Sequence, residues 1–187
     1  MKQIIWKAYW DYEKEERWIN EMSAMGLAMT DYSWCRYAFT EAPKNEYTYR
    51  IELLKHAASH PESMAYIRFL EENGVECIAT YWRWVYLRKK TAEGPFDIYS
   101  DKDSKIAHYK RVFWFETAFM CLELTAGIVN LVMGIVSLST NNSLGNAGVS
   151  NVILGSGLTL LGLLFLKLSL AMGRKIRKLQ KEKIVRE

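Results

Sequence analysis

Cysteine is scarce in this chain of 187 residues, which has three, at positions 35, 77 and 121. An odd number without a CxxC pair argues against a disulfide framework and against a zinc site, so we expect neither. Free thiols are typical of a reducing compartment, which predicts a cytosolic location for the part that carries Cys35 and Cys77. Charged residues appear within the first eleven positions, and we therefore expect no cleavable leader.

Recognisable catalytic motifs are also missing. The sequence has no G-x-S-x-G, no GxxxxGK[ST], no G-x-G-x-x-G and no H-E-x-x-H. Those patterns mark common nucleophilic, phosphate-binding, dinucleotide-binding and zinc-dependent sites. We therefore predict no catalytic residue, no cofactor and no enzymatic activity.

A basic surface for nucleic acid is lacking as well. Residues 1–111 hold 17 Lys/Arg and 17 Asp/Glu, so that part is neutral, and seven Lys/Arg of the tail after Gly173 account for the pI of 8.9. Nucleic-acid binding depends on clustered positive charge. We expect no direct contact with nucleic acid.

Two long apolar runs dominate the C-terminal half, at about 112–138 and 149–172. About 20 helical residues cross a bilayer, so each run is long enough to be a transmembrane helix. The alternative is a buried helical hairpin of a soluble protein. We predict a helix over 100–138, a short extracytoplasmic loop over 139–148, a second transmembrane helix over 149–173 and a basic cytoplasmic tail over 174–187.

The flanks of these runs predict their orientation. Lys110 and Arg111 precede the first run, the basic tail follows the second, and the connecting loop has no charged residue. Positive residues stay on the cytoplasmic side of a membrane. We therefore expect a two-pass protein of the inner (plasma) membrane with both termini in the cytoplasm, and a tail that rests on anionic lipid.

Acidic and polar residues recur at an interval of seven within the first run: Glu116, Glu123, Asn130 and Ser137. Seven residues are close to two helical turns, so these side chains share one stripe, which should face protein because a charge in lipid is costly. Lys167 of the second run could pair with Glu116 or Glu123 in an antiparallel hairpin. Either the acids are structural, or they form a proton or cation site of a small transporter.

Small residues suggest how the two runs pack. Gly127 and Gly134 are seven apart in the first run, and Asn151, Gly155 and Thr159 form a stripe at spacing four in the second. Small residues let helix backbones approach closely. Because two helices alone would not cover both polar stripes, we also expect a homo-oligomer or a membrane-protein partner.

The N-terminal part alternates strand and helix patterns and predicts an α+β, ferredoxin-like βαββαβ(β) domain over 1–99. Its sheet is expected to be antiparallel, with two helices on one face. The acidic pairs Glu15-Glu16 and Glu71-Glu72 are typical of solvated helix faces. The expected strands are 3–10, 27–39, 47–53 and one or two within 75–90; the expected helices begin near Asp11 and Pro61.

A third helix is predicted from Ser100 or Asp101, either of which could cap it. No breaker separates it from the first apolar run. One helix could therefore run from about 101 to 138 and transmit movement between the domain and the bilayer.

Four segments carry a resemblance to a known family: "EERWINEMSAMGLAM", "YTYRIELL", "FLEENGVECIATYWRWVYLRKK" and "GPFDIYSDKDSKIAHYKR". Over roughly residues 5–111 the chain resembles the uncharacterised bacterial domain-of-unknown-function family numbered 2812. The resemblance implies a cytoplasmic domain ahead of about two membrane spans, and a PadR-like transcriptional regulator as a candidate partner. It implies no activity and no site residues.

Tryptophans are the main candidates for a binding site in the domain: Trp6, Trp10, Trp34, Trp82 and Trp84. They could line one sheet face as an aromatic pocket for a planar or cationic molecule, or they could be ordinary packing residues. His56 and His60 are four apart in a loop-like segment and lack further ligands, so no metal site is expected.

These observations favour a membrane-anchored cytosolic sensor or regulatory protein that binds a ligand or protein partner and is not an enzyme. The alternative is a small oligomeric transporter or transporter accessory subunit that uses Glu116, Glu123 and Lys167. An enzyme with a membrane-held substrate would be a third class, but no set of residues supports it.

Overall fold

The computed structural model describes residues 2–99, 101–140 and 145–184, and the chain divides between residues 100 and 101 into two compact units. The first unit is α+β and the second is a pair of long helices, as predicted. The first contains β1 (Lys2–Trp6), α1 (Tyr12–Ala24), β2 (Leu27–Ser33), β3 (Arg36–Glu41), β4 (Tyr47–Leu53), α2 (Pro61–Glu72), β5 (Glu76–Tyr81), β6 (Trp84–Lys90) and a 3₁₀ turn (Thr91–Glu93). The second contains α3 (Lys102–Ser139) and α4 (Gly145–Ile184).

The strand count and the sheet differ from the expectation. The strand predicted over 27–39 is a hairpin, because the chain turns at Trp34 and Cys35 with positive φ angles of 31° and 64°. Eight elements result, in the order βαββ-βαββ. The single sheet predicted for the ferredoxin-like pattern is replaced by two antiparallel sheets of three strands, ordered β1-β3-β2 and β4-β6-β5.

The two halves of the domain therefore repeat one topology, in which the third strand of each half lies between the first and second. Details recur about 48 residues apart. Each second strand begins after a glycine with positive φ, Gly26 or Gly74, and carries a register shift, at Met29/Asp31 or Cys77/Ala79. We infer an internal βαββ duplication. Its low sequence similarity hid it from the periodicity of the sequence.

The buried residues follow the same repeat. Met22, Tyr37 and Phe39 pack in the first core, and Leu70, Val85 and Leu87 hold the equivalent positions of the second. Tyr49 and Ile51 of β4 close the first core. Phe96, which follows the second repeat, belongs to the second core. Each repeat is thus closed by the segment that comes after it in the chain.

The helical unit begins at a defined cap. The Asp101 carboxylate accepts a hydrogen bond from the Ser104 amide (2.7 Å), which satisfies one of the free N–H groups at the start of α3. Ser100, the other predicted cap, lies outside the described residues, as do residues 141–144 of the predicted loop. From Lys102 the helix continues unbroken through the apolar run to Ser139.

Glycines hold α3 and α4 together as an antiparallel hairpin. A methyl group added at Gly127 would lie 2.8 Å from the Thr159 amide nitrogen, and one at Gly134 would lie 2.8 Å from the Val152 amide nitrogen. Gly155 is equally tight, 2.7 Å from the Leu131 amide nitrogen. The three glycines of α4 in the tightest contact with α3 are spaced by seven, like those of α3: Gly148, Gly155 and Gly162. This spacing brings the two backbones into direct contact, the packing that small residues permit in membranes.

The outer surface of the hairpin is apolar. Each helix is long and apolar enough to cross a bilayer, and only 11% and 17% of their most apolar windows are buried. A core helix of a soluble protein would bury most of such a window. The two helices are therefore compatible with a two-span membrane protein.

Candidate functional site

The two hairpin turns of the domain lie at the same end of it, and tryptophan is the first residue of each turn. Trp34 opens the turn between β2 and β3, and Trp82 opens the turn between β5 and β6 with φ of 55°. The ring of Tyr32, two residues before Trp34, lies 5.8 Å from that of Tyr81, the residue before Trp82. The turns are therefore neighbours, and they are the equivalent parts of the two repeats.

Backbone geometry makes tryptophan an unexpected residue there. A bulky side chain in the left-handed region costs about 1–2 kcal/mol relative to glycine or asparagine, which such turns prefer. Trp34 is 71% exposed and Trp82 is 61% exposed, so little burial offsets that cost. Strain held by an exposed side chain points to a function rather than to stability.

Two further tryptophans lie at the same end. Trp6 is the last residue of β1, pairs with Arg36 beside the first turn, and is 69% exposed. The next residue, Lys7, donates its amide to the Cys35 carbonyl (2.9 Å), and Trp10, also exposed, directly precedes the cap of α1. We call the four residues the tryptophan surface: Trp6, Trp10, Trp34 and Trp82.

Trp84 does not share this exposure. It is half-buried, with its ring 5.4 Å from that of Tyr12, and it packs against the first core. Of the five tryptophans predicted to share a face, four are thus exposed at one end of the domain and one is a packing residue. Whether that surface binds a ligand stays a prediction.

Two basic side chains lie at the same end of the domain. The Lys7 ammonium is 4.6 Å from the centre of the Trp18 ring. Arg83, the second residue of its turn, donates to the carbonyls of Leu54 (2.7 Å) and Lys55 (2.9 Å). Both helices of the domain also begin at this end, where their first turns carry acids of the chain itself, Asp11 and Glu13 in α1 and Glu62 in α2. The end therefore combines exposed aromatic rings with side chains of both charges.

His56 and His60 come together with Glu62, which the sequence reading did not foresee. Their candidate metal-ligand atoms lie within 4.8 Å of one another, and the two imidazole rings stack at 4.2 Å. One oxygen of Glu62, however, lies 3.5 Å from the His56 ring nitrogen and 3.6 Å from the Lys55 ammonium. Because Lys55 already places a positive charge beside this carboxylate, we assign no metal to the cluster.

A buried acid in the domain core contradicts the prediction of a solvated Glu15-Glu16 pair. Glu15 is buried, and one of its oxygens accepts hydrogen bonds from the hydroxyls of Tyr37 and Tyr86, both at 2.7 Å. Glu16 accepts the amide of Ile51 (2.9 Å) on β4. Burial raises the pKa of Glu15 above its usual value, and the tyrosine hydrogen bonds lower it less. Glu71 and Glu72 are exposed, as expected.

The polar stripe of the first apolar run lies along the hairpin interface. Glu116 is buried, and Glu123, Asn130 and Ser137 are half-buried. One oxygen of Glu123, Oε2, is buried and accepts no hydrogen bond from any described residue. Asn130 donates to the Ala126 carbonyl (2.8 Å) of its own helix. The stripe faces the partner helix of the same chain, so it does not by itself require a second copy.

Lys167 does not complete this stripe. It is exposed on the outside of α4 and forms no salt bridge with Glu116, Glu123 or any other residue that the structure describes. The Ser169 hydroxyl of α4 instead lies 2.8 Å from the hydroxyl of Thr117, the residue that follows Glu116 in α3. A lysine about six residues from the end of a span can extend its ammonium to the headgroups. The expected Glu–Lys pair is absent because residue 167 is on the wrong side of the helix.

Comparison with known proteins gives one match. The model of a family described as Protein of unknown function (DUF2812) matches residues 11–122, more than half of the chain. The match passes the end of the domain and continues into α3 as far as Leu122. No curated protein and no solved structure matches this chain.

Proposed function

Since the chain belongs to the DUF2812 family of proteins of unknown function, we propose from its own residues that it is a membrane-anchored regulatory or interaction protein. In this proposal it lies in the inner (plasma) membrane, α3 and α4 span the bilayer, and the domain projects into the cytoplasm. The basic residues before α3's apolar part and after α4's support that orientation.

The tryptophan surface is the observation that carries the functional part of the proposal. Four exposed rings at one end of a domain form an apolar patch, and two of them occupy strained turns. Patches of this kind mark interaction sites on soluble domains. The occupant is a ligand or a protein partner, with a PadR-like regulator as the candidate that the family resemblance suggests.

The unbroken α3 supports the regulatory part. It begins at Asp101, directly after the domain, and continues through the whole apolar run. A single helix transmits rotation and translation along its axis because its hydrogen-bond ladder has no break. Binding at the domain would therefore be communicated to the hairpin, or membrane events to the domain.

A second candidate function is a small transporter or a transporter accessory subunit. The observation in its favour is Glu123, an acid inside an apolar run with a buried oxygen that accepts no hydrogen bond from the described residues. Acids within membrane spans often carry protons or cations. The exposed position of Lys167 weakens this candidate, because the predicted site included that charge.

One comparison of variants separates the two functions. We expect a tagged full-length chain, purified from membranes, to retain a partner or ligand when Glu116→Gln and Glu123→Gln are combined, and to lose it when Trp34→Ser and Trp82→Ser are combined. Mass spectrometry of the proteins and small molecules that co-purify with each variant measures which of them is lost.

Two results would contradict the proposal. If the tryptophan variant retains everything that the wild type retains, the tryptophan surface is not the binding site. If only the glutamate variant changes, and it also abolishes ion flux in liposomes, the transporter is the function.

A further inference from the structure

After β6 the chain runs back toward the end of the domain that carries the tryptophan surface. The Thr91 amide binds the Glu46 carbonyl (2.9 Å), just before β4 begins, and Phe96 then reaches Arg50 and packs against Leu54, near the end of β4. The segment after β6 thus runs back along β4 from the far end of the domain. Leu53, which ends β4, pairs with Trp84 beside the Trp82 turn. At Phe96 the chain has therefore turned back from the far end of the domain toward the end that carries the two turns.

The distance from there to the bilayer is short. The apolar part of α3 begins at Val112, ten residues after Lys102, and ten helical residues span about 15 Å. A domain on so short a tether meets the membrane surface constantly. Its tryptophans are thus held at a high effective concentration next to lipid, whatever else is in the cytosol.

The residue types suit the same surroundings. Tryptophan is enriched where membrane meets water, because its ring is apolar and its indole N–H is a donor. The surface is formed by turns whose tryptophan rings are exposed, which suits insertion between headgroups. Lys7 and Arg83 supply two positive charges at this end, which anionic headgroups attract.

Together, these observations carry one assignment. We propose that the tryptophan surface docks on the headgroup region of the bilayer that the chain itself spans, with Trp34 and Trp82 as the inserted tips. The duplication supplies one tip from each βαββ repeat. This rests on the proposed function, since it names the occupant of the same surface and presupposes membrane insertion of the hairpin.

Fluorine NMR of the full-length chain tests the assignment. The protein is labelled with 5-fluorotryptophan and placed in nanodiscs of phosphatidylcholine and phosphatidylglycerol, with and without a lipid whose headgroup carries chelated gadolinium. Trp34→Phe and Trp82→Phe assign the two signals. We expect the headgroup gadolinium to broaden both signals, together with that of Trp114 in α3, more strongly than the signal of Trp18, which is half-buried in the domain.

The possible failures are distinguishable. If Trp114 is broadened but Trp34 and Trp82 behave like Trp18, the hairpin is in the membrane and docking is wrong. If Trp114 is broadened no more than Trp18, membrane insertion and the proposed function fail together. If Trp34 and Trp82 shift only in nanodiscs that hold two copies, a second copy occupies the surface and the lipid assignment is overturned.

Discussion

Replacing Gly155 by leucine is expected to separate α3 from α4. The new side chain would start 2.7 Å from the Leu131 amide nitrogen and 2.8 Å from the Gly127 carbonyl oxygen, and backbone atoms cannot move aside as a side chain can. Forcing volume into a tight contact costs about 1–3 kcal/mol. The free energy of unfolding of the hairpin, measured by titration with SDS in mixed micelles, should fall by that order.

Gly157 provides the matched control for this substitution. It lies two residues further along α4, and a methyl group there would meet nothing within 4 Å. Gly157→Leu adds the same side chain to the same helix on its outer face, where we expect no loss of stability. Equal losses for the two variants would mean that the substitution harms the helix itself and that the glycines do not hold the hairpin together.

Replacing Glu15 by alanine is expected to destabilise the domain by about 3 kcal/mol, because two buried tyrosine hydroxyls lose their acceptor. Trp18, whose ring lies 4.8 Å from that of Tyr37, reports the unfolding by its fluorescence in a denaturant titration. Glu21→Ala, an exposed acid of the same helix, is the control. Adding Tyr37→Phe and Tyr86→Phe to Glu15→Ala should restore stability; if it does not, the effect is a cavity and not unmet hydrogen bonds.

The same carboxyl predicts a dependence on pH. The pKa of Glu15 is raised by burial above the ordinary value of 4.5, so the folded domain holds this proton more tightly than the unfolded chain. Its contribution to stability is fully present below 4.5 and is lost as pH rises through the raised pKa. The stability of the wild type relative to Glu15→Gln should therefore fall from acidic to neutral pH. A difference that rises with pH would contradict the burial.

The sequence was most informative where one strong signal decided the structure. The apolar run and the absence of a breaker predict a helix over 101–138, and α3 is Lys102–Ser139. The strand over 27–39 was wrong because a two-residue turn usually announces itself by glycine or asparagine, and here tryptophan and cysteine take those positions. Turn preferences alone could not predict this hairpin, because its turn residues are not the ones that such turns prefer.

The candidate site was predictable in composition and not in arrangement. The tryptophans could be counted, but their meeting at one end depends on the packing of β2 beside β5, which brings Tyr32 to Tyr81. Glu15 gave no signal, because its tyrosine partners are 22 and 71 residues away in the chain. The predicted pairing of Lys167 with Glu116 or Glu123 was wrong for a simpler reason. The depth of a residue in a span follows from the residue count, but the side of the helix on which it lies depends on how α4 packs against α3.

The topology of the hairpin is tested most directly by labelling single cysteines in intact cells. In a variant without its three native cysteines, Thr140→Cys is placed at the end of α3 and Lys183→Cys near the end of α4. A membrane-impermeant maleimide should label position 140 in intact cells, and position 183 only after permeabilisation. Labelling of 183 but not 140 in intact cells would reverse the orientation. Recovery of the chain in the soluble fraction without detergent would contradict the membrane hairpin altogether.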